Sequence, residues 1–256
     1  MSRIANAFTS GKAFIAFVTG GDPSLARSEE YILELIRGGA DLIEIGIPFS
    51  DPIAEGPVIQ EANLRALAAG TTTDGIFGLV ASLRKKTDVP IVLLTYLNPV
   101  FKYGYERFFA ACEAAGADGI IIPDLPFEES AEVRPTAAAH GVDLISLVAP
   151  TSKARIAEIA AQSTGFLYIV SSMGVTGVRS EITSDISGIV AAAKAATATP
   201  VAVGFGIHSA EQAKEIARAA DGVIVGSAIV RIIAENGEDA AEKLYEFARG
   251  IKSGII

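Results

Sequence analysis

Two glutamates stand in one unusual stretch, EIGIPFSDPIAEGP, which runs from Glu44 to Pro57. Glu44 lies within LIEIGI, where apolar residues surround it, and Glu55 follows a proline-rich segment. Burial raises the pKa of a carboxyl group because it disfavours the ionised form. Such a group can donate and accept protons near neutral pH. The pair therefore predicts acid–base chemistry; the alternative for Glu44 is a structural acid held by a hydrogen bond or an ion pair.

A second kind of chemistry is indicated near the C-terminus. Gly204 and Gly206 occur in VAVGFGIHS, and Gly226 and Ser227 occur in VIVGSAIV, where a helix is expected to begin. Glycines let backbone N–H groups approach a ligand, and a helix N-terminus attracts anions. Each pair alone is a weak signal, but together they predict a phosphate-binding site.

The elements that must position these residues are eight short apolar runs separated by helical patterns. Each run is almost continuously hydrophobic, as strands covered on both faces must be. The runs are Ala13–Thr19, Asp41–Ile47, Pro90–Tyr96, Gly119–Ile122, Asp143–Val148, Phe166–Val170, Val201–Val203 and Gly222–Val225. Helices such as SEEYILELIRGGA and SAEQAKEIARAA lie between runs, and GAD or AAD precedes three of them. This alternation predicts an α/β fold, a (β/α)8 TIM barrel with extra helices, in a single domain over residues 1–256.

An open doubly wound sheet is the alternative architecture. Its first turn normally carries a glycine-rich phosphate loop, whereas the sequence here is TGGDPS. Within a barrel, Glu44 shares a strand face with Leu42 and Gly46, while Ile43 and Ile45 occupy the opposite face. The isoleucine face is expected to meet the helices, so Glu44 is expected to point into the barrel near its C-terminal mouth.

Two connections are longer than the rest, one after the second strand and one after the sixth. Loops after strands form the active-site face of a barrel. The first contains Glu55, and the second is SSMGVTGVRSEITSD, from Ser171 to Asp185, which lacks apolar periodicity. We expect the second to be a lid over the site; the alternative is a surface insertion without a role.

Composition limits the functional classes. The chain has 256 residues, a formal net charge of −9 and one cysteine, Cys112. No nucleic-acid binding is expected from an acidic chain without basic runs, and no disulfide framework or metal site from a single cysteine. No apolar stretch approaches the roughly 18 residues that span a membrane. A soluble, cytoplasmic protein without membrane contact is expected.

Several segments, taken in order, resemble the tryptophan synthase alpha subunit family over essentially the whole chain. They are AFVTGGDP, IEIGIPFSDPIAEGPVIQ, LTYLNPVFKYG, PDLPFEES, SSMGVTG, GFGI and VGSAIV. The resemblance implies a retro-aldol cleavage of indole-3-glycerol phosphate to indole and glyceraldehyde 3-phosphate. It also implies a beta subunit as partner in an alpha2beta2 heterotetramer. No cofactor is implied for this chain, and pyridoxal phosphate is expected in the beta subunit.

The resemblance assigns catalytic roles to three residues. Glu44 matches the family's catalytic glutamate, and Tyr168 matches the tyrosine that hydrogen-bonds it. Glu55 matches a second acid, which handles the indole N–H, but the best-studied members carry aspartate there. The extra methylene shifts the carboxylate by more than an ångström, which is enough to matter for orientation.

The resemblance also implies binding residues. The indole pocket is expected to be lined by Phe17, Ile59, Leu94 and Tyr96. Phosphate contacts are expected from Gly177, Phe205, Gly206, Gly226 and Ser227. Thr176 and Asp51 match a pair that closes the site, and Asp124 matches an acid tied to closure and to the partner interface. Ser172 stands where better-known members carry a basic residue.

Three other functions remain open at this point. A stand-alone lyase that releases indole would share every catalytic residue. A phosphosugar isomerase would keep the two glycine loops but would not need both Glu44 and Glu55. A non-catalytic regulatory subunit is the third, and the presence of Glu44 and Tyr168 argues against it.

Overall fold

A computed structural model shows how the apolar runs assemble. It describes the backbone of residues 3–170, 179–204 and 206–256, and within these ranges it does not describe the side chains of residues 151, 153, 154 and 179–185. Within these ranges, nine parallel strands form one sheet in the order β5-β4-β3-β2-β1-β9-β8-β7-β6. They are β1 (Ala13–Thr19), β2 (Leu42–Gly46), β3 (Ile91–Leu94), β4 (Gly119–Ile121), β5 (Asp143–Leu144), β6 (Ser146–Val148), β7 (Leu167–Val170), β8 (Val201–Gly204) and β9 (Gly222–Val225).

Helices surround this sheet. The helices are α1 (Leu25–Arg37), α2 (Pro57–Ala68), α3 (Thr73–Arg84), α4 (Leu97–Tyr103), α5 (Tyr105–Ala115), α6 (Arg134–Ala139), α7 (Ile156–Ala161), α8 (Arg179–Ala196), α9 (Ala210–Ala217), α10 (Ser227–Asn236) and α11 (Ala240–Ile255). Ser209 caps α9 through its side chain, and α1 ends at Gly38. Short 3-10 helices cover Arg3–Phe8, Phe127–Glu132, Pro150–Arg155 and Gly237–Asp239.

The barrel closes through one divided strand. The predicted run Asp143–Val148 is interrupted at Ile145, so it forms two strands where we predicted one. The first part, β5, pairs with β4, and the second part, β6, pairs with β7. The backbone N–H of Ile145 still donates to the carbonyl of Ile120 at 2.9 Å. The predicted (β/α)8 barrel is therefore confirmed, with a seam between β5 and β6.

Side chains inside and outside the barrel form separate apolar clusters. The inner cluster contains a residue from each of the eight apolar runs: Ile15, Leu42, Val92, Ile121, Ile145, Phe166, Ala202 and Ile224. Ile4 of the first 3-10 helix joins it and fills the amino-terminal end of the barrel. Ile43 and Ile45 belong instead to the outer cluster against the helices. This confirms the predicted alternation along β2 and the inward direction of Glu44.

The repeated GAD and AAD segments join neighbouring strands at the amino-terminal end. The carboxylates of Asp41, Asp118 and Asp221 accept hydrogen bonds from the backbone N–H of Phe14, Ile91 and Val201, at 2.7, 2.8 and 3.0 Å. They also form salt bridges with Lys252, Arg84 and Lys194, each at 2.6 Å. Each aspartate thus ties the start of its own strand to the preceding strand.

Two long connections were predicted, and the structure shows what they contain. The connection after β2 carries both α2 and α3. In the connection after β7, α8 begins at Arg179, so the predicted loop from Ser171 to Asp185 is wrong for residues 179–185, which are helical. Residues 171–178 lie outside the described part of the chain. No single helix in the described ranges is long and apolar enough to cross a membrane; α2 and α3 together pass that test but are bent by 97°.

Candidate functional site

Glu44 lies on β2 with its carboxyl group enclosed at the barrel mouth. The residue is 1% exposed, and its Oε2 atom has no hydrogen-bond partner within the described structure. Burial, and secondarily the charge of Glu55, raise the pKa of Glu44 to about 8. A carboxyl with such a pKa carries its proton at neutral pH and can deliver it to a ligand.

Tyr168 lies on β7 and faces the interior at the same end. Its hydroxyl points toward Gly204 of β8, where an added Cβ would collide with the ring. Burial, and secondarily the charge of Glu44, raise the pKa of Tyr168 well above its usual value. The two side chains are therefore electrostatically coupled, but within the described residues no hydrogen bond joins them. The hydrogen bond that the resemblance implies is absent from this arrangement.

Glu55 is held from two sides. Asn63 of α2 donates from Nδ2 to Oε2 of Glu55 at 2.6 Å. The hydroxyl of Tyr96 accepts the backbone N–H of Ala54 at 3.1 Å and lies near enough to Glu55 to affect its pKa. Burial raises the pKa of Glu55, and the hydrogen bond from Asn63 and the proximity of the Tyr96 hydroxyl oppose this rise. Two carboxyls with raised pKa values thus face one site.

An apolar wall stands beside the two acids. Phe17 of β1, Ala62 of α2 and Val230 of α10 form a small cluster, against which Ile59 and Leu94 pack. Tyr96 is 2% exposed, with its ring 5.5 Å from that of Phe49, centroid to centroid. The structure therefore brings Phe17, Ile59 and Leu94 into one cluster, as expected for a pocket that receives a flat apolar group.

Glycines keep this wall close to the strands. A Cβ on Gly46 of β2 would lie 3.0 Å from Cζ of Phe17, and a Cβ on Gly226 would lie 3.3 Å from its Cδ1. Both distances are tighter than ordinary van der Waals contact. The ring of Phe17 therefore depends on both glycines for its place between β2 and α10.

The predicted anion site combines a helix N-terminus with a glycine turn. Gly226 precedes α10 without a side-chain cap, and no acidic residue occupies the first turn. Gly206 follows β8 in the left-handed region, with φ +54°. Ser227 is half-buried at the first position of α10. The free N–H groups of this turn can hold a phosphate without a cationic side chain.

Other predicted residues lie on the surrounding loops. Asp51 is exposed and accepts a hydrogen bond from the Ser50 hydroxyl. Asp124 follows β4, and its Oδ1 accepts the backbone N–H of Leu97 at 2.8 Å, which ties its loop to the start of α4. Thr176, Gly177 and Phe205, together with Ser172, lie outside the described residues.

A cavity of about 310 Å³ opens at the seam of the barrel. Its walls include Ile122 and Pro123 after β4, and Ile145 and Leu147 at the divided strand. Ala54, the neighbour of Glu55, lies on its rim. The cavity therefore adjoins the mouth rather than enclosing the two acids. In the part of the chain that the structure describes, no three His, Cys, Asp or Glu side chains form a group suited to a metal ion.

The sequence reasoning missed Asn63. It is one polar residue in the helical segment PVIQEANLRALA, and nothing in that pattern marks it. Only its 4% exposure and its contact with Glu55 reveal it. The helix directly follows the loop that carries Glu55, but spacing alone does not select Asn63.

The chain is similar to known proteins of one family. The family profile described as Tryptophan synthase alpha chain matches residues 5–255. A tryptophan synthase alpha chain from Citrifermentans bemidjiense is 50% identical over 263 aligned positions, covering 100% of this chain and 98% of the relative. One from Lacticaseibacillus casei is 47% identical over 255, covering 100% of this chain and 96% of the relative.

Solved structures show the same fold. Tryptophan synthase subunit alpha from Legionella pneumophila superposes with a TM-score of 0.91 at 36% identity, covering 100% of this chain and 98% of that one. A chain of the tryptophan synthase a2b2 complex from Pyrococcus furiosus, studied for its mutual activation, superposes with a TM-score of 0.88 at 38% identity. The match covers 95% of this chain and 99% of that one.

Proposed function

This chain belongs to the tryptophan synthase alpha chain family, and on that premise we propose that it cleaves indole-3-glycerol phosphate to indole and glyceraldehyde 3-phosphate. The observation that carries the proposal is the enclosed carboxyl of Glu44, whose pKa is raised to about 8 beside an apolar wall and a free helix N-terminus.

The cleavage requires two proton transfers. Protonated Glu44 delivers its proton to C3 of the indole ring, which loosens the bond from C3 to the glycerol phosphate carbon. The hydroxyl on that carbon then gives up its proton as the bond breaks and a carbonyl forms. The Glu44 carboxylate, having lost its own proton, can accept this one, so the enzyme returns to its starting state.

Glu55 and Tyr168 support this step. The Glu55 carboxylate accepts the indole N–H, which becomes more acidic as C3 is protonated. Tyr168 lies at the same end of the barrel, and its raised pKa keeps its hydroxyl protonated. The flat indole lies against Phe17, Ile59 and Leu94, which already pack together. Gly206, Gly226 and Ser227 hold the phosphate.

We also propose that the chain works with a beta subunit that carries pyridoxal phosphate, in an alpha2beta2 complex, and that it needs no cofactor of its own. Large apolar side chains are exposed on the mouth side, among them Ile53 in the loop after β2, which is 78% exposed, and Phe101 of α4, which is 65% exposed. Exposed apolar groups near a site suit a protein partner. A single, buried thiol at Cys112 suits the cytoplasm.

The test is to incubate the chain with indole-3-glycerol phosphate, with and without a beta subunit, and to follow indole. We expect slow release by the chain alone and faster release in the complex. Equal rates would support a stand-alone lyase instead, and no indole under either condition would overturn the proposal.

A further inference from the structure

Asn63 is a buried amide with one strong partner. It lies on α2, it is 4% exposed, and its Nδ2 donates to Oε2 of Glu55 at 2.6 Å. A hydrogen bond from a neutral donor to a carboxylate of limited exposure is stronger than one between neutral groups. Burial of an amide is costly unless such a bond is made. The hydrogen bond to the Glu55 carboxylate therefore offsets the cost of burying the Asn63 side chain.

The same helix also fixes the backbone of Glu55. Nε2 of Gln60 donates to the Glu55 carbonyl at 2.8 Å. Tyr96, which follows β3, accepts the backbone N–H of the neighbouring Ala54 and lies beside the carboxylate. Glutamate has one more rotatable bond than aspartate, so its carboxylate has more positions to choose from. The contacts from α2 and from Tyr96 remove that freedom.

We propose that Asn63 is a positioning residue, which holds the longer Glu55 side chain so that its carboxylate meets the indole N–H. The inference rests on the proposed function and deepens it. It identifies what lets glutamate stand where the family resemblance predicts aspartate. Because orientation errors of about 1 Å can cost on the order of a hundredfold in rate, such a residue would act on turnover without touching the substrate.

The charges around Glu55 give the proposal a second consequence. The titratable groups that face it are Glu44 from β2 and Tyr96 from the end of β3, and Asp124, from the loop after β4, interacts with Tyr96 in turn. The Asn63 hydrogen bond lowers the pKa of Glu55 against the effect of burial. The resulting charge on Glu55 helps to raise the pKa of Glu44. Removal of the amide should therefore raise the pKa of Glu55 and lower that of Glu44.

The experiment compares Asn63→Ala and Asn63→Gln in the wild type and in a Glu55→Gln background. For Asn63→Ala we expect kcat to fall about ten- to a hundredfold, as for a lost hydrogen bond to a charged group, with KM within about twofold. The acid limb of the pH profile should move to higher pH. Asn63→Gln keeps the donor and should restore part of kcat and the position of that limb. In the Glu55→Gln background, Asn63→Ala should add no further loss.

Carboxyl-carbon NMR titration of Glu55 gives a readout that does not depend on turnover. An upward shift of its pKa in Asn63→Ala, with thermal unfolding still cooperative, supports the proposal. An unchanged Glu55 titration, or an equal further loss of kcat in the Glu55→Gln background, overturns it. Absence of indole release by the wild type would instead count against the proposed function, because the NMR result stands without it.

Discussion

At the scale of single residues, the proposed chemistry rests on the position of one acid. Glu44 is enclosed on β2 without a hydrogen-bond partner for Oε2. We expect Glu44→Gln to reduce indole release to less than about 1% of wild type, since an amide cannot deliver the proton, while substrate binding persists. Steady-state kinetics and equilibrium binding check this. Retention of more than a few per cent of turnover would contradict the assignment.

The same residue makes activity depend on pH. The pKa of Glu44 is about 8, so the proton that it donates is present at neutral pH and is lost as pH rises. We expect kcat to decline as pH passes through about 8, and to be restored when pH is lowered again. A rate profile from pH 6 to 10 measures this. A basic limb that stays unchanged in a variant with a shifted Glu44 titration would refute it.

Stability should depend on pH through Glu44 in the opposite sense to that of a salt-bridged acid. Its folded pKa of about 8 exceeds the ordinary value of 4.5, so the folded chain keeps a proton that the unfolded chain loses between these values. The free energy of unfolding should fall as pH rises from about 4.5 to 8, by about 3 kcal/mol up to pH 7. Urea unfolding of Glu44→Gln should lack this slope; an identical slope in the variant would contradict the expectation.

Sequence reasoning reached some of these residues and not others. The direction of Glu44 followed from strand alternation, because the isoleucines on the opposite face had to meet the helices. Asn63 could not be found, since its role depends on how the loop before α2 folds back onto the helix. The hydrogen bond that the resemblance implies between Glu44 and Tyr168 is not formed among the described residues, and the sequence could not show this because it depends on the direction of one hydroxyl.

At the scale of elements, the aspartates that precede β2, β4 and β9 and join neighbouring strands differ in the burial of their ion pairs. Asp118 is 5% exposed and pairs with Arg84 and Arg3. We expect Asp118→Asn to lower the free energy of unfolding by about 3–5 kcal/mol, because it leaves the partly buried Arg84 without a counter-charge. Denaturant unfolding measures the change.

A matched control lies at the equivalent position before β9. The side chains of Asp221 and its partner Lys194 are 33% and 36% exposed, so water screens their attraction. Asp221→Asn should cost less than about 1 kcal/mol. Equal losses for the two variants would show that the backbone hydrogen bond, rather than the burial of the ion pair, sets the effect.

The pattern of elements was largely predictable, and the exceptions have a physical reason. The eight apolar runs became strands because only buried parallel strands are apolar on both faces. The division at Ile145 was not visible, because Asp143–Val148 is as apolar as an unbroken strand and the break depends on which neighbour each half pairs with. The start of α8 at Arg179 was missed because polar residues hid its helical pattern.

At the scale of the whole molecule, the exposed aromatic of α4 offers a test of the partner surface. Phe101 is 65% exposed on the mouth side. We expect Phe101→Ser to weaken binding of a beta subunit about tenfold or more, as for an aromatic anchor, and to leave the turnover of the isolated chain unchanged. Titration calorimetry and activity assays check both.

Ile256 provides the control for that test. It is 91% exposed, and it lies beside Ser10 and Lys12 at the amino-terminal end of the barrel, away from the mouth. Ile256→Ser should leave partner binding and turnover as they are. If both variants weakened binding alike, a general loss of apolar surface rather than a defined contact would be responsible.

The divided strand has a mechanical consequence. A barrel whose strands are hydrogen-bonded without interruption resists any change in its circumference, whereas a barrel with one interrupted strand can widen at the interruption. In this barrel the interruption lies between β5 and β6. The middle strand of the order is β1, which stands opposite the interruption. Amides of β5 and β6 should therefore exchange with solvent faster than those of β1 and β2, which hydrogen-exchange NMR can measure. We therefore expect the barrel to deform more readily on the side away from Phe17 and Glu44 than at the strands that carry these residues.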